Sequence, residues 1–426
     1  MATENEQDLR IAVVGGGVAG ITAAHLLQRR HRVTLYEKND YVGGHTHTIE
    51  VPDGPDRGLP VDTGFIVLND RTYPLLHRLL EQLGVGVQDT EMSFSFQSTA
   101  TGLEYAGTGL NGLFAQRRNL VRPAHWRLLF EVARFCRAAR ADLAGNRLGR
   151  STLHEYLTRG RYHVDMVDHY LVPMASAIWS TPPGQVTGFP AEPFLRFFDN
   201  HGLLSPFHRP RWQTVVGGSH AYVKAFLAGF GGVVRTRAAV TGIRRGADAV
   251  TVRTTEGEPE SYDRVVVAAH ADEALGLLDD PSDGERDLLG AWRYQRNRVV
   301  LHTDASFLPR SRRAWGCWNY SGLQDPGPDA LGCVTYWMNA LQGLRTETQY
   351  CVTLNPDRPV PQAAVVRELE YSHPTYSLAS MATQAQLPTL NGRARTYFCG
   401  SYFGYGFHED AVRSAVEVGR QFGLEL

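Results

Sequence analysis

The sequence has few cysteines, almost no lysine, no long apolar run and no excess of charge of either sign. Its 43 basic residues balance 44 acidic ones, giving a net charge of -1, which argues against a dedicated nucleic-acid binder. No stretch reaches the roughly 18 uninterrupted apolar residues that a membrane-spanning helix needs. The five cysteines are never spaced as metal or redox pairs, so we expect no metal site. The hydrophobic fraction of 43% excludes a disordered chain.

The N-terminal ten residues are polar and acidic, unlike a secretory signal, and the composition suits the cytoplasm. Lys38 and Lys224 are the only lysines, a bias typical of a GC-rich genome. Residues 117–150 carry nine arginines and only two acids, with apolar residues at helical spacing. Such a basic helix either is solvated or lies on an anionic bilayer, so peripheral membrane contact through residues 117–150 stays an open alternative.

The first forty residues contain a dinucleotide-binding pattern. A short apolar run, residues 11–14, precedes Gly15-Gly16-Gly17-Val18-Ala19-Gly20, and helix-forming residues follow. A second apolar run ends in Glu37, 22 residues after Gly15. In this pattern the glycines permit a tight turn and close approach to a pyrophosphate, and the helix N-terminus attracts its charge. Glu37 is then placed to bind ribose hydroxyls. The pattern predicts a Rossmann-like domain.

A second glycine pair indicates which dinucleotide binds. Gly43 and Gly44 follow soon after Lys38 and precede His45 and Thr46. FAD enzymes of the amine-oxidase type carry such a pair, and His45 stands where that family usually has arginine. We therefore expect FAD, with additional backbone N–H groups from this loop directed at the pyrophosphate.

The rest of the chain returns twice to the cofactor pattern. A hairpin from Val240 feeds a buried strand ending near residue 269, and a strand near 396–401 precedes a last helix. Residues 71–150 have helical periodicity, whereas 276–389 alternate strands with aromatic content. We predict an α/β fold with a discontinuous FAD-binding domain and an inserted α+β substrate domain of helices and a mixed sheet. The FAD-binding domain comprises 1–70, 205–275 and 390–426; the substrate domain comprises 71–204 and 276–389.

Over nearly its whole length the chain resembles the flavin-containing amine-oxidase and phytoene-desaturase superfamily of two-dinucleotide-binding-domain flavoproteins. Within it, the sequence is most similar to a group of bacterial FAD/NAD-binding oxidoreductases often encoded beside cyclopropane-fatty-acid synthases. The stretches that carry this narrower resemblance are 43–48, 61–67, 178–182, 200–204 and 406–410. The resemblance implies FAD and an apolar, fatty-acyl or lipid-like substrate.

Together, the motifs and the resemblance predict the cofactor-binding residues. They are Gly15, Gly17, Val18, Ala19, Gly20, Glu37, Lys38, Gly43, Gly44, His45, Thr46, Gly64, Phe65, Val240, Gly400, Ser401, His408, Glu409, Asp410 and Ala411. Ser401 stands where the superfamily usually has an acid. No cysteine matches the position of the covalent flavin link in related amine oxidases, so we expect non-covalent FAD.

Catalytic residues are harder to predict, because the flavin itself supplies the redox chemistry. The candidates are Asp62, Trp179, His408 and Glu409. Each has a structural alternative: Asp62 could hold a loop, and Trp179 could belong to the core. Asp410 is equally consistent with the N-cap of the last helix.

The function expected is hydride transfer between flavin N5 and a carbon of an apolar, unsaturated fatty-acyl or lipid-like substrate. One alternative is double-bond isomerisation of unsaturated fatty acids, in which the hydride returns to another carbon. Another is a non-catalytic flavin-binding accessory subunit of a lipid-modifying enzyme. Amine oxidation is the last, and it would need facing aromatics, for which Tyr402 and Tyr405 are candidates. The electron partner and the oligomeric state stay open.

Overall fold

The computed structural model describes residues 8–205, 209–322 and 330–426. Its strands are β1 (Arg10–Val14), β2 (Arg32–Tyr36), β3 (Thr48–Glu50), β4 (Pro60–Asp62), β5 (Leu68–Asn69), β6 (Val87–Asp89), β7 (Phe94–Ser98), β8 (Glu104–Ala106), β9 (Trp212–Val215), β10 (Val233–Arg235), β11 (Val240–Arg245), β12 (Val250–Thr254), β13 (Glu260–Tyr262), β14 (Arg264–Val267), β15 (Arg293–His302), β16 (Trp318–Gly322), β17 (Cys333–Trp337), β18 (Cys351–Leu354), β19 (Val365–Thr375) and β20 (Thr396–Phe398).

The α-helices are α1 (Val18–Leu27), α2 (Pro74–Gln82), α3 (Leu110–Leu113), α4 (Pro123–Ala144), α5 (Leu153–Arg159), α6 (Val164–Met166), α7 (Val172–Trp179), α8 (Pro183–Val186), α9 (Ala191–Asn200), α10 (His220–Gly229), α11 (Ala271–Leu277), α12 (Asp283–Gly290), α13 (Met338–Leu341), α14 (Leu378–Gln384) and α15 (His408–Gln421). Short 3-10 turns lie between several of these elements.

The predicted dinucleotide fold centres on a five-stranded sheet in the order β10-β2-β1-β14-β20. All four pairings are parallel. The apolar runs of β1 and β14 are fully buried, as expected for a parallel sheet covered on both faces. α1 packs against α15, so the last helix of the chain lies beside the first. An antiparallel sheet, β11-β12-β13, forms the predicted hairpin before β14.

A second sheet of seven strands has the order β19-β15-β18-β17-β16-β7-β8. β7 pairs with β16 in parallel and the other neighbours are antiparallel, so this sheet is mixed, as predicted. The prediction of a largely helical segment was wrong for residues 87–106, which form β6, β7 and β8. β6 pairs with β9 and β7 pairs with β16, both more than 100 residues away, so local periodicity does not reveal this conformation.

The two sheets together confirm the predicted α/β fold class of a two-domain, FAD-binding type. Every strand of the five-stranded sheet lies within the ranges 1–70, 205–275 and 390–426, and every strand of the seven-stranded sheet lies outside them. The domain boundaries themselves stay a prediction. In the described ranges, no helix combines the length and the apolar character needed to cross a membrane.

Candidate active site

A single large cavity joins the glycine loops to the interior of the aromatic-rich helices. Its volume is about 2530 Å³, whereas sites for drug-sized ligands typically measure about 300–1,000 Å³. Of the predicted cofactor and catalytic residues, the cavity is lined by Gly15, Gly17, Val18, Ala19, Glu37, Lys38, Gly43, Gly44, His45, Gly64, Phe65, Trp179, Val240, Gly400, Ser401, His408 and Ala411. The cavity therefore has room for a dinucleotide and for a substrate beside it.

The first glycine loop has the geometry of a phosphate cradle. Gly15 has a φ of +106°, and a Cβ there would lie 2.5 Å from the carbonyl oxygen of Ala268. A Cβ on Gly20 would lie 1.8 Å from the carbonyl oxygen of Gly15, so Gly20 allows α1 to pack on the loop without lining the cavity. A Cβ on Gly17 would meet nothing within 4 Å. Gly17 thus leaves open the space at the N-terminus of α1, which suits a pyrophosphate.

Glu37 follows β2 and lies at the cavity with 5% of its surface exposed. One carboxylate oxygen accepts a hydrogen bond from the backbone N–H of Gly16 at 2.9 Å, and the other accepts from Asn39 at 2.8 Å. These bonds fix the carboxylate where a ribose would approach. Lys38 forms an ion pair with Glu273 at 2.6 Å, with both side chains about half exposed.

The second glycine loop packs directly on the first. The N–H of Gly43 donates to the carbonyl oxygen of Gly16 at 2.8 Å, and the two loops form a bridge between Gly17 and Gly43. Next to them, the Nε2 atom of His45 is buried without a hydrogen-bond partner although His45 lines the cavity. A buried polar atom of this kind normally has a partner, and a bound FAD could supply it. The residues present therefore fit the cofactor.

Three histidines surround His45, and two of them escaped the sequence prediction. Its ring lies 5.2 Å from that of His373 and 6.1 Å from that of His270. Burial, together with the neighbouring His373, holds the pKa of His45 well below its usual range. Burial also lowers the pKa of His373, to about 4, and that of His270. The third neighbour is His408, whose ring stacks on Phe65 at 3.7 Å.

His270 lies three residues after the carboxyl end of the parallel strand β14, the edge at which doubly wound folds bind ligands, and this position could have revealed it. His373 lies in β19 of the other sheet, so no local pattern connects it to the cofactor loops. Tyr371, from the same strand, has its ring 5.0 Å from that of His45. Tyr294 stacks on His270 at 4.3 Å. These side chains form an aromatic and uncharged wall.

His408 and Thr46 connect the last helix to the second glycine loop. The Nε2 atom of His408 lies 3.0 Å from the hydroxyl of Thr46, which also contacts the hydroxyl of Tyr222. Thr46 is fully buried in this network and does not line the cavity. Burial lowers the pKa of His408 to about 3, so its ring is neutral at physiological pH. Of the four predicted catalytic candidates, His408 and Trp179 line the cavity.

The structure places the two acids after His408 away from the cavity. Glu409 accepts hydrogen bonds from the backbone N–H groups of Leu75 and Leu76, at the N-terminus of α2. Asp410 is not the N-cap of α15, as that alternative supposed, because α15 begins at His408. Its carboxylate accepts instead from the N–H groups of Tyr405 and Phe407. Neither carboxylate therefore lines the cavity, and a contact of these two residues with the cofactor stays a prediction.

Asp62 is likewise outside the cavity lining, which speaks against its prediction as a catalytic acid or base. Its carboxylate accepts hydrogen bonds from the hydroxyl of Thr48 and from the N–H and hydroxyl of Ser219. Burial raises its pKa to about 6, although these bonds favour the charged form. Asp62 therefore joins the loop after the second glycine pair to the start of α10.

The remaining predicted cofactor residues come from separate parts of the chain and line the same cavity as the glycine loops. Gly64 lies against His45, since a Cβ there would be 2.2 Å from the carbonyl oxygen of His45. Val240 begins β11 and lines the cavity. The N–H of Gly400 donates to the hydroxyl of Ser414 at 2.9 Å. Ser401 and Ala411 complete this part of the lining, so three separated segments of the chain supply one surface.

Trp179 ends α7 and forms part of an apolar wall. Its ring lies 4.7 Å from that of Phe197 and 5.5 Å from that of Phe194, and its Nε1 donates to the carbonyl oxygen of Tyr405 at 3.3 Å. Trp179 is thus both a core residue and a lining residue. The amine-oxidase candidates pack in different aromatic groups: Tyr402 contacts Trp292, and Tyr405 contacts Phe197.

In the parts of the chain that the structure describes, no group of three metal-ligating side chains could hold a metal ion. The parallel sheet and the two glycine loops beside the cavity define a dinucleotide-binding fold. Comparison with protein-family models agrees: the model of the flavin containing amine oxidoreductases matches residues 18–421. The chain therefore belongs to this family, and its cofactor is FAD.

Two curated relatives share short segments with the chain. A cinnamate reductase of Clostridium sporogenes is 50% identical over 52 residues, which cover 12% of this chain and 8% of the reductase. A 1-hydroxycarotenoid 3,4-desaturase of Flavobacterium sp. strain P99-3 is 32% identical over 94 residues, which cover 22% of this chain and 17% of the desaturase. Among solved structures, a redesigned putrescine oxidase superposes with a TM-score of 0.71 at 15% identity, covering 97% of this chain and 98% of that one.

Proposed function

We propose that this oxidoreductase acts on a carbon–carbon bond of an apolar, unsaturated fatty-acyl or lipid-like substrate. The observation that carries the proposal is the shared cavity, in which the cofactor loops open onto a wall of buried aromatic and aliphatic side chains. The names of two relatives, a cinnamate reductase and a carotenoid desaturase, are consistent with chemistry at conjugated carbon chains. Non-covalently bound FAD supplies hydride transfer between its N5 and a substrate carbon.

The protein side chains would position the substrate and exclude water. Trp179, Phe197 and Leu128 provide apolar contact surface along the cavity. The histidines around His45 stay neutral at physiological pH, because burial lowers the pKa of each one. These neutral histidines supply no charge for an ammonium group at this part of the wall. Because carboxylates such as Glu273 and Glu370 also line the cavity, amine oxidation is decided by the experiment that follows.

The test is an anaerobic mixing experiment with purified FAD-loaded protein. Oxidised and reduced forms are each mixed with unsaturated fatty acids, their saturated counterparts and putrescine, while the flavin absorbance is followed. Bleaching of the oxidised form by an acyl lipid, or reoxidation of the reduced form by an unsaturated one, supports the proposal. A product of unchanged mass without net bleaching would favour isomerisation instead. Reaction with putrescine alone would establish amine oxidation, and no reaction at all would favour an accessory subunit.

A variant pair connects this activity to the cavity. Trp179→Ala removes an aromatic ring from the wall, so we expect kcat/KM for the acyl substrate to fall by about tenfold to a hundredfold. Trp315→Ala is the matched control, because Trp315 lies outside the cavity lining. Equal activity of the two variants, with FAD content unchanged in both, would contradict the assignment of the wall as the substrate site. We propose a cytoplasmic location, with peripheral membrane contact through the segment 117–150.

A further inference from the structure

One face of α4 is exposed along the helix, and the C-terminal half of this face borders the cavity. Trp126, Phe130, Ala133, Arg137 and Arg140 are all exposed. At 3.6 residues per turn, these five positions fall within an arc of about 80°. Trp126 and Phe130 have exposed fractions of 51% and 61%. We name these five residues the α4 face.

The segment around the start of this face holds an unusual share of the exposed apolar surface. Half of the ten exposed large hydrophobic side chains in the described part of the chain lie between residues 110 and 130. They are Leu110, Leu120, Val121, Trp126 and Phe130. The indole N–H of Trp126 donates to the carbonyl oxygen of Leu120 at 2.9 Å, so its polar atom is satisfied while its ring stays exposed. Exposed apolar side chains concentrated in one stretch of a chain are typical of an interaction site.

The charge around this surface is positive. The two acids between residues 117 and 150 are already paired: Glu131 with Arg134 at 2.7 Å, and Asp142 with Arg147 at 2.9 Å. Arg127 and Arg140 pair with Asp165 and Asp199. Within the described ranges, no carboxylate forms an ion pair with the five remaining arginines of this segment, which are Arg117, Arg118, Arg122, Arg137 and Arg150. Exposed aromatics flanked by uncompensated arginines complement an anionic lipid surface.

The same helix forms the edge of the substrate cavity. Ala133, Arg137 and Arg140 belong both to the α4 face and to the cavity lining, and Leu129 and Val132 line the cavity one step around the helix. A surface that places Trp126 and Phe130 among lipid chains would therefore bring the cavity edge to the headgroup level. Arginine side chains can extend along such an interface and keep their charge in the polar layer.

We propose that the α4 face docks on an anionic lipid bilayer and that the acyl substrate enters the cavity from the bilayer past Ala133 and Arg137. The entry route rests on the proposed apolar substrate, whereas docking can be measured without turnover. Flotation of the full-length FAD-loaded protein is compared on phosphatidylglycerol-containing vesicles and on phosphatidylcholine vesicles, at low and high salt. We expect flotation with anionic vesicles that weakens at high salt.

Two double variants separate the apolar and the charged contributions. Trp126→Ala/Phe130→Ala should weaken binding to anionic vesicles by at least about tenfold, because it removes the aromatic surface that docking would bury in the bilayer. Arg122→Gln/Arg137→Gln should weaken it by about thirtyfold, at roughly fivefold for each arginine. The matched controls are Leu227→Ala/Leu378→Ala and Arg57→Gln/Arg286→Gln, which remove exposed apolar or basic side chains elsewhere. The controls should float like the unmodified protein.

Three results would overturn the proposal: no flotation, equal flotation of all four double variants, or a self-association that the aromatic double variant abolishes without any vesicle binding. The last result would assign the α4 face to a second copy of the chain. Acyl-lipid turnover in detergent by a protein that does not float would refute docking and leave the proposed function intact. Flotation without turnover of any acyl lipid would refute the proposed function and leave docking intact.

Discussion

Gly17 offers the sharpest test of the cofactor site, because its replacement separates folding from FAD binding. It precedes α1 with φ −72° and ψ 179°, a conformation open to alanine, and a Cβ there meets nothing within 4 Å. Gly17→Ala should therefore change the stability of the apoprotein by less than about 1 kcal/mol. The methyl group would instead occupy space that the pyrophosphate needs.

Forcing one extra carbon into a well-packed contact costs about 1–3 kcal/mol. We therefore expect the Kd for FAD to rise by about 5- to 150-fold in Gly17→Ala. The assay is titration of apoprotein with FAD by flavin fluorescence, together with thermal unfolding of the apoprotein. Gly276→Ala is the control, because Gly276 lies exposed in α11 with nothing within 4 Å of its Cβ position.

Gly20→Ala provides the opposite pattern, since its Cβ would lie 1.8 Å from the carbonyl oxygen of Gly15. That contact requires α1 to move, so stability and FAD binding should fall together. Unchanged FAD affinity in Gly17→Ala would refute the placement of the pyrophosphate at this loop. A large loss of apoprotein stability in the same variant would refute the argument that the site is open.

Three further predictions concern buried charges. Asp62→Ala leaves the N–H and hydroxyl of Ser219 without a buried acceptor, so the free energy of unfolding in a denaturant titration should fall by about 2–4 kcal/mol; loss of turnover without loss of stability in Asp62→Asn would instead indicate chemistry there. Glu285→Gln removes one of the two carboxylates that pair with the buried Arg245, which keeps Asp280, so it should cost about 1.5–3 kcal/mol, and an unchanged free energy of unfolding would contradict this. Burial raises the pKa of Glu409 from 4.5 to about 7, so its contribution to stability is present below pH 4.5 and is lost as the pH rises through about 7. Glu409→Gln should lack this part of the pH dependence in unfolding measurements.

The cofactor loops were predictable from the sequence because their chemistry is local. The spacing of Gly15, Gly17 and Gly20 matches a tight turn followed by the start of a helix. Glu37 follows at the end of the next strand. The comparison with family models confirms the predicted family and cofactor. Resemblance, rather than spacing, indicated FAD as the dinucleotide, because a single loop of this kind serves other dinucleotides as well.

The side chains of the two acids after His408 show what local reasoning does not reveal. Glu409 and Asp410 follow His408 in a motif that indicated a flavin contact, yet a helix directs successive side chains about 100° apart. His408 therefore faces the cavity, while Glu409 caps α2 and Asp410 binds the turn before α15. Which side of α15 meets the cofactor depends on how α2 and the preceding turn pack against it.

The sequence by itself determined the Rossmann-like core, the two glycine loops and the family, because each of these depends on residues close together along the chain. Only the tertiary structure decided that His270 and His373 join His45, since both lie more than 200 residues beyond it, one before α11 and the other in β19. It also decided that α4 borders the cavity while exposing Trp126 and Phe130. Periodicity shows that a helix has a distinct face, but only the packing of the rest of the chain leaves that face uncovered.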